Sequence, residues 1–226
     1  TENIFQQKST ELFRRSLENA KNLQKEPIQN WSYLLTKSSE TESLRPTLYD
    51  LLAHRAIHFF QTEESHFYLS NYNQEESDRK RNEMLQIFKD LTAFHLAKNN
   101  QNAYLYNQLE LYRLETSDTY SKDYYNQIEA LSKKFPNADY TAFVLFELAE
   151  LELNKNSQIT DKESNQFTIN TQKAHSILSD IQKKYPKSLI IEQAKNLEKQ
   201  INAAYVGISI EKYISPNLNT PFVINH

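Results

Sequence analysis

"LSKKFPNADYTAF" occupies residues 131–143, and "IQKKYPKSLIIEQ" occupies residues 181–193. Each closes one segment of helical periodicity with two lysines, an aromatic residue and a proline, and opens the next at once. Phe135–Pro136 and Tyr185–Pro186 stand in equivalent settings, 50 residues apart. Proline disfavours helix in the residue before it, so the first helix stops at the aromatic. Lysines in its last turn complement the negative end of the helix dipole. Two helices joined by a tight turn, occurring twice, predict helical hairpins.

The composition agrees. One glycine among 226 residues leaves almost none of the backbone freedom that hairpin turns and phosphate loops use. Leu, Ala, Glu, Gln and Lys are plentiful, and all favour helix. The fold class expected is therefore all-α. The length allows one large domain or a helical array with a sizeable core.

Working outward, residues 2–24 carry apolar positions at helical spacing, from Ile4 and Phe5 to Ala20 and Leu23. Pro27 suits the first turn of a short helix, "IQNWSYLL". "TKSSETES" is a polar linker, after which Pro46 opens "LLAHRAIHFF", residues 51–60. Residues 61–77 form a long connection. A long amphipathic helix follows, with Met84, Leu85, Phe88, Leu91, Phe94 and His95 on one stripe. "NNQNA" is a turn and "AYLYNQLELYRLE" a helix, followed by the segments around the two quoted turns. Residues 155–170 form a polar loop. In the tail, Val206, Ile208 and Ile210 alternate with polar or small residues, the period of a strand.

The repeated turn resembles tetratricopeptide-type repeats, in which hairpins stack. The spacing of 50 residues exceeds the roughly 34 of that repeat, and the polar loop absorbs the excess. The expected architecture is stacked antiparallel helical hairpins, a tetratricopeptide-like α-solenoid, with a short C-terminal β-strand tail. The expected domains are a helical-repeat domain over residues 1–204, then a strand and linker over 205–226 leading into a β domain.

His54 and His58 lie four apart, so both reach one face of a helix, as the paired histidines of zinc proteases do. Those enzymes place glutamate directly after the first histidine as general base. Here that residue is Arg55, a cation that opposes metal binding and takes no proton from water. A third ligand is also needed, and Asp50 or His66 is only a speculative candidate for it. The pair remains a weak metal candidate, and the favoured reading is helix-packing histidines that hydrogen-bond their neighbours.

Other chemistry finds less support. With Gly207 alone, the glycine patterns of nucleotide loops and serine-hydrolase elbows do not occur. Glu63/Glu64, Glu75/Glu76 and Glu150/Glu152 are read as solvated charges. "DRKR" at 78–81 is flanked by acidic residues, which favours salt bridging along a helix over phosphate binding. A net charge of −3 gives no general attraction to nucleic acid or anionic membrane. With no cysteine, disulfides, thiolate nucleophiles and cysteine metal sites are excluded. No apolar run approaches the ~20 residues that span a bilayer.

A wider pattern joins several segments in order. "RRSLENAKNLQKEPIQNWSYLL" (14–35) precedes "SLRPTLYDLLAHRAIHFF" (43–60), and "LTAFHLAKNNQNAYLYNQLELYRLE" (91–115) follows. "FPNADYTAFVLFELAEL" (135–151) comes next, and "AKNLEKQINAAYVGISIEKYISPNLNTPFVI" (194–224) ends the series. Together they resemble the helical N-terminal region of large bacterial alpha-2-macroglobulin-like proteins, ending at the start of the first macroglobulin-like domain. His58 departs from that pattern, which calls for an acidic residue. The resemblance implies part of a larger extracytoplasmic protein, periplasmic or outer-membrane associated, of a protease-trapping kind. A reactive thioester needs a cysteine, so any trapping chemistry would lie downstream.

The function expected is a non-enzymatic helical scaffold or protein-interaction domain, with no catalytic residue and no cofactor. Its partners would be proteins: downstream macroglobulin-like domains of the same chain, proteases or an envelope partner. Nucleic acid and direct membrane insertion are not expected. The alternative is a stand-alone tetratricopeptide-like peptide-binding module.

Overall fold

The computed structural model describes residues 2–34, 43–67, 74–159, 164–202, 207–210 and 222–225. Their helices in chain order are α1 (Glu2–Ser16), α2 (Ala20–Leu23), α3 (Leu48–Phe67), α4 (Gln74–Ala97), α5 (Gln101–Glu115), α6 (Lys122–Lys134), α7 (Thr141–Asn154), α8 (Asn165–Lys184) and α9 (Ile191–Asn202). Short 3₁₀ segments cover Ile28–Leu34 and Lys155–Gln158. Among the described residues the fold is all-α apart from one antiparallel strand pair. In it β1 (Gly207–Ile210) runs beside β2 (Phe222–Asn225), with Ile208 opposite Ile224.

Each helix from α3 to α9 packs against the next, and α5 also touches α7. The connections are tight and capped. Asn99 takes a left-handed φ of 55°, and the Asn100 side chain accepts from the Ala103 N–H to start α5. Ser121 caps α6 and Ser164 caps α8 in the same way. The two quoted turns have matching backbones. Ala138 N–H donates to the Phe135 carbonyl and Thr141 N–H to the Ala138 carbonyl. Fifty residues on, Ser188 and Ile191 repeat both bonds with Tyr185 and Ser188. The Tyr185 hydroxyl then donates to the Pro136 carbonyl at 2.5 Å, tying one turn to the other.

Among the described residues the core falls into three clusters. Tyr49, Ala53, Ala56, Ile57 and Phe60 of α3 meet Met84, Phe88 and Leu91 of α4. Leu105, Leu109, Ile128 and Leu131 join Val144, Leu148 and Leu151 of α7. The opposite side of α7, Ala142 and Ala149, packs on Ala174, Leu178, Ile181 and Ala194. Helix α7 is thus covered on two sides, which is why it is apolar nearly all round.

Several expectations need correction. The expected helix over 2–24 breaks after Ser16, because Asn19 adopts a left-handed φ of 61°. The connection drawn over 61–77 is largely helix. α3 runs to Phe67 and α4 starts at Gln74, because an exposed polar face needs no apolar period to stay helical. The loop drawn over 155–170 is shorter, since Ser164 caps α8 and the buried Asn170 binds Asn156. In α3 the buried apolar positions are Tyr49, Ala53, Ala56, Ile57 and Phe60, whereas Leu48, Leu51, Leu52 and Phe59, also apolar, are half-buried. Most of the polar linker, Val206 and the 204/205 boundary lie outside the described residues.

Candidate functional site

Pro46 and Thr47 begin α3, and a capping box fixes its first turn. Thr47 N–H donates to Asp50 Oδ2 at 2.9 Å, and the Thr47 hydroxyl donates to the same oxygen at 2.7 Å. In return Asp50 N–H donates to the threonine hydroxyl at 3.3 Å. This arrangement turns the other carboxylate oxygen, Oδ1, towards α4, where His95 Nε2 meets it at 2.7 Å. Both side chains are essentially inaccessible to water. One carboxylate therefore caps α3 and locks α4 against it.

His54 stands one turn further along α3, also buried. Its ring lies 5.1 Å from that of Tyr106 and 6.1 Å, edge-on, from that of Phe88. Arg45 closes this side by donating to the Tyr106 hydroxyl at 2.6 Å. Next to Tyr106, Asn107 is fully buried, and its amide nitrogen donates to the Ala103 carbonyl at 2.7 Å. Burial depresses the His54 pKa to about 3, with Arg45 and then His95 adding to the effect and Asn107 opposing it. His54 is accordingly a neutral imidazole at physiological pH.

The histidine pair does not converge. His54 is buried and His58 is exposed, and Asp50 is committed to Thr47 and His95. The side chain of His66 lies outside the described set. Among the described residues no group of three His, Cys, Asp or Glu is placed to hold a metal ion. Sequence reasoning counted His95 only as part of an apolar stripe and passed over Asn107. The available signal was a polar residue standing in a core register of each helix.

The second feature is an open groove across α6, α7 and α8, about 770 Å³ in volume. Leu145, Leu148 and Ile177 form apolar parts of its lining, and Lys133, Lys173 and Asp180 are among its charged residues. Glu152 lines it too, and here the expectation of a solvated charge fails: its side chain is only 1% exposed. Tyr125 donates to one oxygen at 2.5 Å and Lys155 to the other at 3.0 Å, while the lysine ammonium sits 3.6 Å from the Tyr125 ring centroid. A buried carboxylate held by two donors satisfies the requirement that an interior charge be paired. One turn away Tyr124 donates to Glu147 at 2.8 Å, so adjacent tyrosines of α6 bind two glutamates of α7.

The basic run at 78–81 forms structural ion pairs. Arg79 meets Glu76 at 2.6 Å, and Arg81 donates to the Leu114 carbonyl near the end of α5. Arg14 of α1 reaches Glu83 of α4 at 2.8 Å. No described helix is long and apolar enough to cross a membrane. No protein-family model, curated protein or solved structure matches this chain.

Proposed function

We propose that this protein is a non-enzymatic helical scaffold that docks extended protein segments. Its helices would be arranged as stacked antiparallel hairpins of tetratricopeptide-like type. The observation that carries the reading is the groove over α6, α7 and α8, where Leu145, Leu148 and Ile177 line it together with Lys133, Lys173 and Asp180. Such a surface offers anchors for apolar side chains and a polar margin for orientation. The matching turns at Phe135–Pro136 and Tyr185–Pro186 support the stacked arrangement, because the same backbone hydrogen bonds recur at both. The paired, buried states of Asp50, His95 and Glu152 support a structural role for the charges most suited to chemistry.

The wider setting proposed is the N-terminal helical region of an alpha-2-macroglobulin-like envelope protein, periplasmic or outer-membrane associated. The helical-repeat domain would occupy 1–204. The strand pair Gly207–Ile210 with Phe222–Asn225 supports a passage, over 205–226, into a β domain. The alternative, a stand-alone peptide-binding module, draws on the fact that three helices of this chain form the groove unaided.

Two measurements test these readings. A random peptide library should yield ligands with micromolar Kd that bind at least tenfold more weakly to Ser176→Arg, which obstructs the groove at an exposed position. No enrichment, or binding indifferent to the substitution, overturns the docking role. An antibody against residues 101–115 should detect, in the envelope fraction, a polypeptide far larger than 26.7 kDa. A cytosolic band near 26.7 kDa would leave the stand-alone module instead.

A further inference from the structure

The groove over α6, α7 and α8 has two distinguishable ends. At one, the Asn156 side chain donates to the Thr171 hydroxyl at 3.0 Å and accepts from the Asn170 amide at 2.9 Å, so α8 begins beside the end of α7. At the other, the Tyr185 hydroxyl reaches the Pro136 carbonyl at 2.5 Å, so α8 finishes beside the turn from α6 to α7. Lys173, Ile177, Asp180 and Lys184 all line the groove. Their spacings of four, three and four residues place them on one face of α8. Eleven positions separate Lys173 from Lys184, hence about 16 Å along the helix axis. That distance matches roughly five residues of extended chain.

The charges that line this groove are not equally available to a ligand. Glu129 pairs with Lys133 and Asp180 with Lys184, both at 3.0 Å. Glu152 is buried and held by Tyr125 and Lys155. Lys173 is exposed and makes no ion pair among the described residues. The uncommitted charge of the lining is therefore a cation, and it stands at the end where α7 finishes. Ile177 follows it by one turn of α8, with Leu145 and Leu148 of α7 completing the apolar part. Resting on the docking role above, we propose that the ligand is an acidic segment. It is a short extended stretch of protein whose apolar side chains lie on Leu145, Leu148 and Ile177 and whose Asp or Glu carboxylate pairs with Lys173. A basic segment would have to compete with Lys133 for Glu129 or with Lys184 for Asp180, and would bring its own cation towards Lys173. An acidic segment finds its partner with no existing pair lost, so the same charges that attract one class repel the other.

The test pans one random peptide library against the whole chain and against Lys173→Glu, then measures the Kd of the recovered peptides. Ligands of the unaltered chain should be enriched in Asp or Glu beside apolar residues. They should bind about fivefold more weakly to Lys173→Gln, the effect of one exposed ion pair, and more weakly again to Lys173→Glu. Ligands recovered on Lys173→Glu should be enriched in Lys or Arg instead. Both substitutions fall at an exposed position with no ion pair to lose, so neither disturbs the fold. Ligands that are lost on Ser176→Arg, and so occupy the groove, yet carry no acidic bias or bind Lys173→Glu equally well, would overturn the acidic ligand and leave the docking role standing. A library that yields no ligand overturns the docking role, and this inference with it.

Discussion

Where α3, α4 and α5 meet, the fully buried side chains include Asp50, His95 and Asn107; where α7, α8 and α9 meet, they are Ala142, Ala149, Ala174, Leu178, Ile181 and Ala194. The first region is held by hydrogen bonds of fixed direction. The second is held by shape, with alanines letting the helix backbones approach and Leu178 and Ile181 filling the space between them. A polar junction tolerates little change, because removing one partner strands another in a medium that cannot solvate it. An apolar interface loses stability in proportion to the volume removed. The junction should therefore be brittle and sensitive to pH, and the α7–α8–α9 interface graded and nearly insensitive to it.

The largest effect expected is from Asp50→Ala. It removes the α3 capping box and leaves His95 buried without its acceptor. Losing a helix cap and stranding a buried hydrogen-bonding group together cost about 2–4 kcal/mol. Asp50→Asn, which keeps the shape and one acceptor, should retain part of this. Chemical denaturation of both variants checks it, and a loss below about 1 kcal/mol for Asp50→Ala would remove the contrast. Leu178→Ala, in the apolar region, should cost about 3 kcal/mol through lost burial and a cavity beside Ala142 and Ala149. Leu178→Met should restore most of that, whereas no isosteric change of Asp50 restores both of its roles.

Acidity separates the regions next. The unfolded His54 titrates near 6.5, and in the folded protein burial holds it down to about 3. Between those values the unfolded chain binds a proton that the folded chain refuses. Stability is unaffected by this group above about pH 6.5, falls as pH drops below that, and the loss is complete near pH 3. The slope is about 1.4 kcal/mol per pH unit, hence roughly 2 kcal/mol between pH 7 and pH 5. Denaturation midpoints measured across that range should lose this component in His54→Phe and keep it in Leu178→Ala. An unchanged slope in His54→Phe would show that the histidine is not held neutral.

Much of the helical order was legible because apolar periodicity and proline reveal which segments are helices and where they stop. Helices α4 to α7 follow that pattern closely, and so do the twin turns. The polar junction was hidden for the same reason. His95 falls within an apolar stripe, and Asn107 looks like an exposed helix residue until α5 turns it inward. Asp50 had been weighed only as a metal ligand, although the spacing Thr47–Asp50 is that of a capping box. Glu152 misled similarly, since one of the two donors that hold it in the interior is Tyr125, 27 positions away. Periodicity reports which face is buried, but it does not report which polar groups find partners there.

The smallest effect tests the turn that decided the fold. Tyr185 is 8% exposed, and its hydroxyl reaches the Pro136 carbonyl of the preceding turn. Tyr185→Phe keeps the ring in place and removes only that bond. Pro136 is itself exposed, so water can take over its carbonyl when the hydroxyl goes. The cost should therefore sit at the low end for a hydrogen bond, about 0.5–1 kcal/mol. Tyr185→Ala, which also withdraws the ring from Ile181 and Ile190, should cost about 3 kcal/mol or more. If the two substitutions were equally damaging, the direct hydrogen bond between turns would be the main restraint, and the apolar region would share the directional character of the α3–α4–α5 junction. The expected gap of severalfold, read from paired denaturation curves, assigns the alignment of α6–α7 with α8–α9 to packing.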